Sequence, residues 1–358
     1  MIEDSRFAQD VDDVVPETPT LPDGWTAEDP GAGSAELADE LIALLGAHQE
    51  AARGWSSAGP DDIEMRVSEV AALTHANLVV RDPEGAVRAW GSVQDRATNR
   101  MIYDHVVARD LPGADAERCS RILLGWAEGQ AREVGQARGL TTQQIDAGAF
   151  ADDERQHAWF RAAGFAHARN WWQMSRPVTP DEADLVDDPA RWEADGVVFR
   201  LVDREGSNMP ADDDLRAVHD VLESAFLDHF NSREETFAEF LHRLREDPGH
   251  RWHHWWLAEL EGDQGWEPAG ALVGTLVENA DGPHASYVDY IGVLSSARGR
   301  GVAKGLLRTV IADAARRGRD SVGLEVDADS PTGADGLYTA MGWVTKYRTQ
   351  SWHRDIRV

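Results

Sequence analysis

Residues 287–303 read YVDYIGVLSSARGRGVA, and residues 304–318 continue as KGLLRTVIADAARRG. An apolar strand ends near Val293 and a glycine-rich turn, Arg298-Gly299-Arg300-Gly301, follows within five residues. A helix with apolar residues at three- and four-residue spacing then begins. Strand, glycine turn and helix in that order form an anion site. Glycine lets the backbone approach a ligand, and the first-turn N–H groups of a helix point at negative charge. Arg298 and Arg300 add positive charge to an otherwise acidic chain, so a phosphate-bearing cofactor is expected here.

Outward from this segment, the second half of the chain reads as strand (196–202), two helices (212–226 and 233–245) and three strands (254–261, 269–278 and 287–294). After the glycine turn come a helix (301–317), a strand (321–328), a short helix (332–341) and a last strand (346–356). The first half repeats the plan. Helices are expected at 36–46 and 61–73, a hairpin at 76–95, a strand at 100–108 and a long helix at 116–134. A strand at 141–148, a helix at 153–163 and a strand at 170–177 complete it. Each half is expected to be closed by its own last strand. WFRAAGF (159–165) aligns with LYTAMGW (337–343), and DHVVARD (104–110) with YIGVLSS (290–296), both without gaps. A repeat of this length is a duplicated domain, not a solenoid. Residues 177–195 are acidic, contain three prolines and read as a linker, and residues 1–22 read as a flexible acidic arm.

Composition narrows the functions. The 358 residues carry a net charge of −29, shared evenly by the halves. That disfavours nucleic acid, whose phosphates need a basic face, and suits a cationic small substrate. No apolar run is long enough for a membrane span, and the N-terminus lacks a signal-peptide pattern, so a cytoplasmic location without membrane attachment is expected. Cys119 is the single cysteine. It excludes an intrachain disulfide, and a buried, inert thiol is expected there. The pairs His253-His254 and His157 with His167 lack accompanying carboxylate motifs, and no metal is expected. The run Trp252, Trp255, Trp256 reads as strand core more than as pocket lining.

Two cofactor readings fit a glycine loop between strand and helix. In a dinucleotide fold the loop follows the first strand and has a third glycine, with Glu325 or Asp327 as the ribose ligand. Here Lys304 stands at the third glycine, and the loop comes after three other strands. The full order of elements, the loop from Arg298 to Ala303, Ser330-Pro331-Thr332-Gly333-Ala334, and Leu337-Tyr338 followed by Gly342-Trp343 resemble the GNAT N-acetyltransferase superfamily. That superfamily includes tandem-domain actinobacterial members such as mycothiol synthases. The resemblance is clear over 196–358 and weaker over 24–176.

The resemblance implies an α/β (α+β) protein of two tandem GNAT-like domains, 23–176 and 196–358, each a mixed, mostly antiparallel sheet flanked by helices. It implies acetyl-CoA as co-substrate. Backbone groups of Ile291, Gly292 and Val293 would meet the acetyl carbonyl and pantetheine, where donors polarise the thioester. Arg298, Gly299, Arg300, Gly301, Val302 and Ala303 would hold the pyrophosphate, with Lys304 opening the helix behind it. Ser330 stands where relatives often have a cofactor-touching Asn. Tyr338 matches the tyrosine that protonates the departing thiolate. Asp289 lies on the strand before the loop, as general base, anchor for a cationic substrate or solvent-exposed strand residue.

In the first half the loop reads Pro112-Gly113-Ala114-Asp115-Ala116-Glu117, with Asp115 in place of Gly301 and Phe160 in place of Tyr338. Carboxylates repel a pyrophosphate and phenylalanine has no proton to give, so that half is expected to be inactive. The expectation is therefore an acetyl-CoA-dependent N-acetyltransferase acting on a small primary amine by direct transfer, with one active site in the second half; a cationic amine is compatible with the acidic charge, and so is charge that serves solubility alone. A non-catalytic acyl-CoA sensor and a nucleotide-dependent oxidoreductase are the rival readings. No residue selects the acceptor, mycothiol synthesis included, and the oligomeric state is open, with a monomer as the default.

Overall fold

A computed structural model describes residues 20–31, 33–97, 99–184, 196–205, 209–226, 236–246, 250–263, 265–277, 284–330 and 333–358. Most of the expected arm, linker residues 185–195, the first turn expected for the helix at 233, and Pro331-Thr332 lie outside these residues. The first half runs β1 (Thr26–Glu28), α1 (Ala35–Arg53), α2 (Pro60–Val67), β2 (His75–Arg81), β3 (Val87–Ala97), β4 (Arg100–Val107), α3 (Gly113–Ala137), β5 (Thr142–Phe150), α4 (Glu154–Ala162) and β6 (Ala166–Pro177). The second half runs β7 (Val197–Leu201), a small pair β8 (Arg204–Glu205) and β9 (Met209–Pro210), α5 (Asp212–Phe226), α6 (Phe237–Glu246), β10 (His250–Gly262) and β11 (Gly265–Val277). It continues with β12 (Ala285–Val293), α7 (Val302–Arg316), β13 (Ser321–Asp327), α8 (Ala334–Ala340) and β14 (Val344–Arg357).

Local sequence explains the main boundaries. Helix α1 starts where the Ser34 hydroxyl accepts the Leu37 N–H, and it ends at Gly54, whose φ of 82° is the left-handed conformation that closes helices. Its buried residues, Leu37, Leu41, Leu44 and His48, recur at helical spacing. Strand β11 is apolar and buried from Ala269 to Thr275, as expected for a strand covered on both faces.

The order of strands departs from expectation. Twelve strands among the described residues form one sheet in the order β1-β2-β3-β4-β5-β14-β6-β13-β12-β11-β10-β7. Neither half is closed by its own last strand. β14 pairs antiparallel with β5 of the first half, β6 pairs antiparallel with β13 of the second, and the two exchanged strands pair with each other. The order is symmetric about that central pair. Trp171 Nε1 donates to Ser351 Oγ at 2.6 Å across it. Each last strand thus finds an equivalent antiparallel partner in the opposite half, and the two sheets become one.

Helices cover both faces. α1 and α2 pack on one face of the first half, and α5 and α6 on the same face of the second. α3 and α4, and α7 with α8, cover the other. Trp255 and Trp256 are buried in these two layers, one on each side of β10. His254 is buried and bonded to Arg319 at 2.8 Å. Cys119 is buried in α3, and burial pushes its thiol up to about 11. Among the described residues no group of three or more His, Cys, Asp or Glu is placed to hold a metal, and no helix is long and apolar enough to cross a membrane.

Candidate active site

Strand β12 pairs in parallel with β13 only from Ser286 to Val288, opposite Val322 to Leu324. Beyond that point β12 stays with β11 as far as Val293, while β13 stays with β6 as far as Asp327. The sheet therefore opens between two parallel strands, leaving one edge of residues 289–293 without a strand partner. Asp289 and Glu325 are the first residues past the last pair, one on each side of the opening. Ile291 and Val293 pack toward the α7–α8 layer, and Gly292 faces α5, where an added Cβ would lie 2.9 Å from Ala225 Cβ.

A bulge sits at the mouth of this opening. Val273 pairs with Tyr290 but Gly274 pairs with Val288, so Asp289 is an extra residue on β12. Val288 and Ile291 pack with α7, whereas Tyr290 packs with α5 and α6. Asp289 and Tyr290 consequently line one cavity together, which regular alternation forbids. The Thr275 hydroxyl donates to Asp289 Oδ1 at 3.4 Å. That cavity, of about 590 Å³, lies between α2 of the first half and α6 of the second.

The glycine turn follows Val293. Residues 295–297 form a 3-10 turn, Arg298 is extended, and Gly299 and Gly301 have φ of 78° and 79°. A side chain is strained at such φ values, and a Cβ at either glycine would meet no atom within 4 Å. Gly301 caps α7 without a side chain, and the Gly305 N–H makes a bond to Gly301 O at 2.9 Å. The amides of Val302, Ala303 and Lys304 precede that bond and point out of the helix end. Val302 anchors the turn with a side chain 1% exposed, while Arg298, Arg300 and Lys304 stay exposed. The result is an open, positively flanked cradle at the end of the parted strands, and its residues fit a pyrophosphate-bearing ligand.

Tyr338 on α8 joins the same apolar layer as Ile291, Val293 and Val302. It is 7% exposed, and its ring meets the edge of Trp343 at 6.1 Å. Burial pushes its phenol up to about 12, so it holds its proton at neutral pH. Strand end, loop and Tyr338 are therefore gathered on one side of the opening, with Asp289 at the cavity on the other. Ser330 is half-buried in the turn after β13, its N–H bonded to Asp327 O at 3.2 Å.

The exchanged strand adds groups from the first half. Tyr287 donates to Gln173 Oε1 on β6 at 3.2 Å, and Gln173 Nε2 donates to Glu325. Desolvation of its inner side raises the Glu325 carboxyl above its ordinary value, although the residue as a whole is exposed. Asp327 is engaged structurally, accepting from the Asp329 N–H at 2.9 Å and lying 3.6 Å from Arg169.

The first half has the same opening, filled from within. β4 and β5 pair in parallel only from Arg100 to Tyr103. Arg155 donates to the carbonyls of Val107 and Ala108 at 3.0 and 3.3 Å. Gln156 donates to His105 O at 3.2 Å and to Gly148 O on the facing strand at 3.4 Å. In the gap-free alignment on WFRAAGF, Arg155 and Gln156 correspond to Gly333 and Ala334, which have nothing to reach across with. Nor is there a glycine turn. α3 begins at Gly113 after Pro112, so the residues aligned with 299–301 are already the first helical turn, with Asp115 within it. Between Ala89 and Asp95, β3 and β4 pair without a bulge. The sequence reading found Asp115 and Phe160 but missed the side-chain plug, whose signal was the pair Arg155-Gln156 opposite Gly333-Ala334.

Residues 215–343 match the sequence model of the acetyltransferase (GNAT) family. A GCN5-related N-acetyltransferase from Sphaerobacter thermophilus superposes with a TM-score of 0.71 at 24% identity, covering 95% of this chain and 98% of that one. A tandem GNAT protein from the clavulanic acid biosynthesis pathway gives 0.63 at 16% identity, covering 93% and 99%. The glucosamine N-acetyltransferase region of a fungal multi-domain GH3 β-N-acetylglucosaminidase gives 0.65 at 15%, covering 93% of this chain and 38% of that one. A search of curated proteins returned no significant match. The fold is thus that of two GNAT-like domains in tandem.

Proposed function

We propose, from the premise that the chain carries a domain of the acetyltransferase (GNAT) family and is an acetyl-CoA-dependent acyltransferase, that it acetylates the primary amine of a small molecule at one active site in the second half. The observation that carries this reading is the contrast between the two strand openings. One ends in a glycine cradle, and the other is bridged by Arg155 and Gln156. In sequence the working unit is 196–358, and 23–176 is the degenerate copy, joined through 177–195 and completed by the exchanged strands.

In this reading the edge of residues 291–293 and the first-turn amides of α7 hold the co-substrate, with Arg298, Arg300 and Lys304 supplying charge and Ser330 flanking it. Acetyl-CoA brings the acetyl group as an activated thioester. Backbone N–H groups at the strand end stabilise charge that develops on the carbonyl oxygen. Tyr338 gives its proton to the departing sulfur. Its raised value makes it a weaker acid than free tyrosine, but a buried thiolate is penalised by the same desolvation, which narrows the gap between the two. Asp289, re-aimed by the bulge, faces the acceptor cavity, where it takes the proton of the incoming ammonium or anchors it. No nucleophilic residue is required, and Cys119 is remote in α3. We place the protein in the cytoplasm.

Titration of the full chain with acetyl-CoA and with NADPH tests the reading. Saturable binding of acetyl-CoA and none of NADPH is expected; tight NADPH binding without acetyl-CoA binding overturns it.

A further inference from the structure

The inter-half cavity is not needed by acetyl-CoA, and its walls come mainly from the half that has lost the co-substrate site. Asp61 and Glu64, three residues apart on one face of α2, line it together with Asp289 from β12. Arg66 also lines it, but its guanidinium is held by Asp104 at 2.7 Å, which neutralises both. Arg96 and His75 are the remaining basic residues of the lining, against the three other carboxylates. At its floor lies Ser92 of β3, only 2% exposed, with a hydroxyl that has no hydrogen-bond partner among the described residues. A buried hydroxyl without a partner is costly, and here it faces a cavity of about 590 Å³, the size that takes a small molecule.

We propose that the first half has become the acceptor-recognition unit, and that the acceptor is dicationic, with a second positive group held by Asp61 and Glu64 and a polar group meeting Ser92 while its reacting amine lies at Asp289. This deepens the acetyltransferase reading and rests on it. It explains how a half without a co-substrate site contributes to the activity: α2 faces the mouth of the working opening. It also explains why the carboxylates sit at the rim, exposed, with the hydroxyl beneath them.

The test is calorimetry on the full chain saturated with CoA, using 1,4-diaminobutane and 1,5-diaminopentane against 1-aminobutane and 1-aminopentane. The diamines should bind about tenfold more tightly than the matched monoamines, a summed effect expected of two carboxylates at a partly exposed site. Asp61→Asn with Glu64→Gln, both exposed and so harmless to the fold, should reduce that preference to within about twofold. Ser92→Ala should leave these amines and the diamine preference unchanged, since none of the probes carries a further polar group to meet its hydroxyl. Equal binding of diamines and monoamines, or a preference kept by the double variant, overturns the proposal. Acetyl-CoA affinity measured in the same samples separates the two readings. A chain that binds acetyl-CoA but shows no dication preference loses only this inference, and a chain that binds no acetyl-CoA loses the activity itself.

Discussion

Gly301→Asp copies the first half into the second, and its consequences for folding and for binding separate cleanly. Gly301 has φ 79° and ψ 4°. Holding an L-residue there costs about 1–2 kcal/mol, with Asp at the low end because its side chain tolerates the left-handed region. A carboxylate at a helix N-terminus returns about 0.3–1 kcal/mol. No atom lies within 4 Å of the new Cβ, so no clash is added. The net cost of about 1 kcal/mol or less amounts to roughly 1–2 °C in Tm for a cooperative unit of this length. Binding is a different matter. A unit charge at about 4 Å from a like charge costs from about 1 kcal/mol in water to about 4 kcal/mol near a protein surface. Two phosphates double this, and even the lower end, about 2 kcal/mol, weakens binding roughly 30-fold. Gly301→Ala carries the backbone cost without the charge and should keep acetyl-CoA affinity within a few-fold. Thermal melts and calorimetry on the three proteins measure both quantities. Normal acetyl-CoA affinity in Gly301→Asp would refute the pyrophosphate assignment, and an equal loss in Gly301→Ala would show that charge is not the cause.

Further outcomes follow from other parts of the structure. Tyr338→Phe should lower kcat about 100-fold or more while leaving acetyl-CoA affinity unchanged, the signature of a lost general acid; an unaltered kcat removes Tyr338 from the mechanism. In the first half, burial lowers His48 to about 4 and His105, bonded to Ser120 at 3.0 Å, to about 3. The unfolded chain then binds more protons than the folded one between about pH 3 and 6.5, so stability is lost as pH falls through that window. Urea melts between pH 7 and 4 should show a shallower loss for His105→Gln than for the natural chain, and parallel curves would contradict the assignment. Because β6 stands between β13 and β14, the fragment 196–358 alone leaves an unfilled gap in its sheet and should not fold. Adding the fragment 1–184 should restore a cooperative melt, whereas a stable isolated 196–358 would contradict the exchange as a structural necessity.

Much of this was legible in the chain. The amphipathic helix α7, the strand before it and the glycine turn each show strong local periodicity, and the structure places them within one to three residues of expectation. The duplication was visible through WFRAAGF and LYTAMGW. The strand exchange was not, because β6 and β14 occupy equivalent positions in the repeat, and either can pair with either half by the same pattern. The bulge at Asp289 was hidden because Val288-Asp289-Tyr290 alternates as a plain strand does. Ser92, Asp61 and Glu64 carry no motif. They become a group only when α2 is brought to face β12, a consequence of how the halves join and not of any local preference.

The most direct test of the central claim is thiol release from acetyl-CoA by the full chain across a panel of amines, with the products weighed by mass spectrometry. Release should depend on the amine, with one acetylated amine for each thiol, and both should fall about 100-fold or more in Tyr338→Phe. Failure of every amine to provoke release from a chain that binds acetyl-CoA would contradict catalysis and leave a sensor of acyl-CoA in its place.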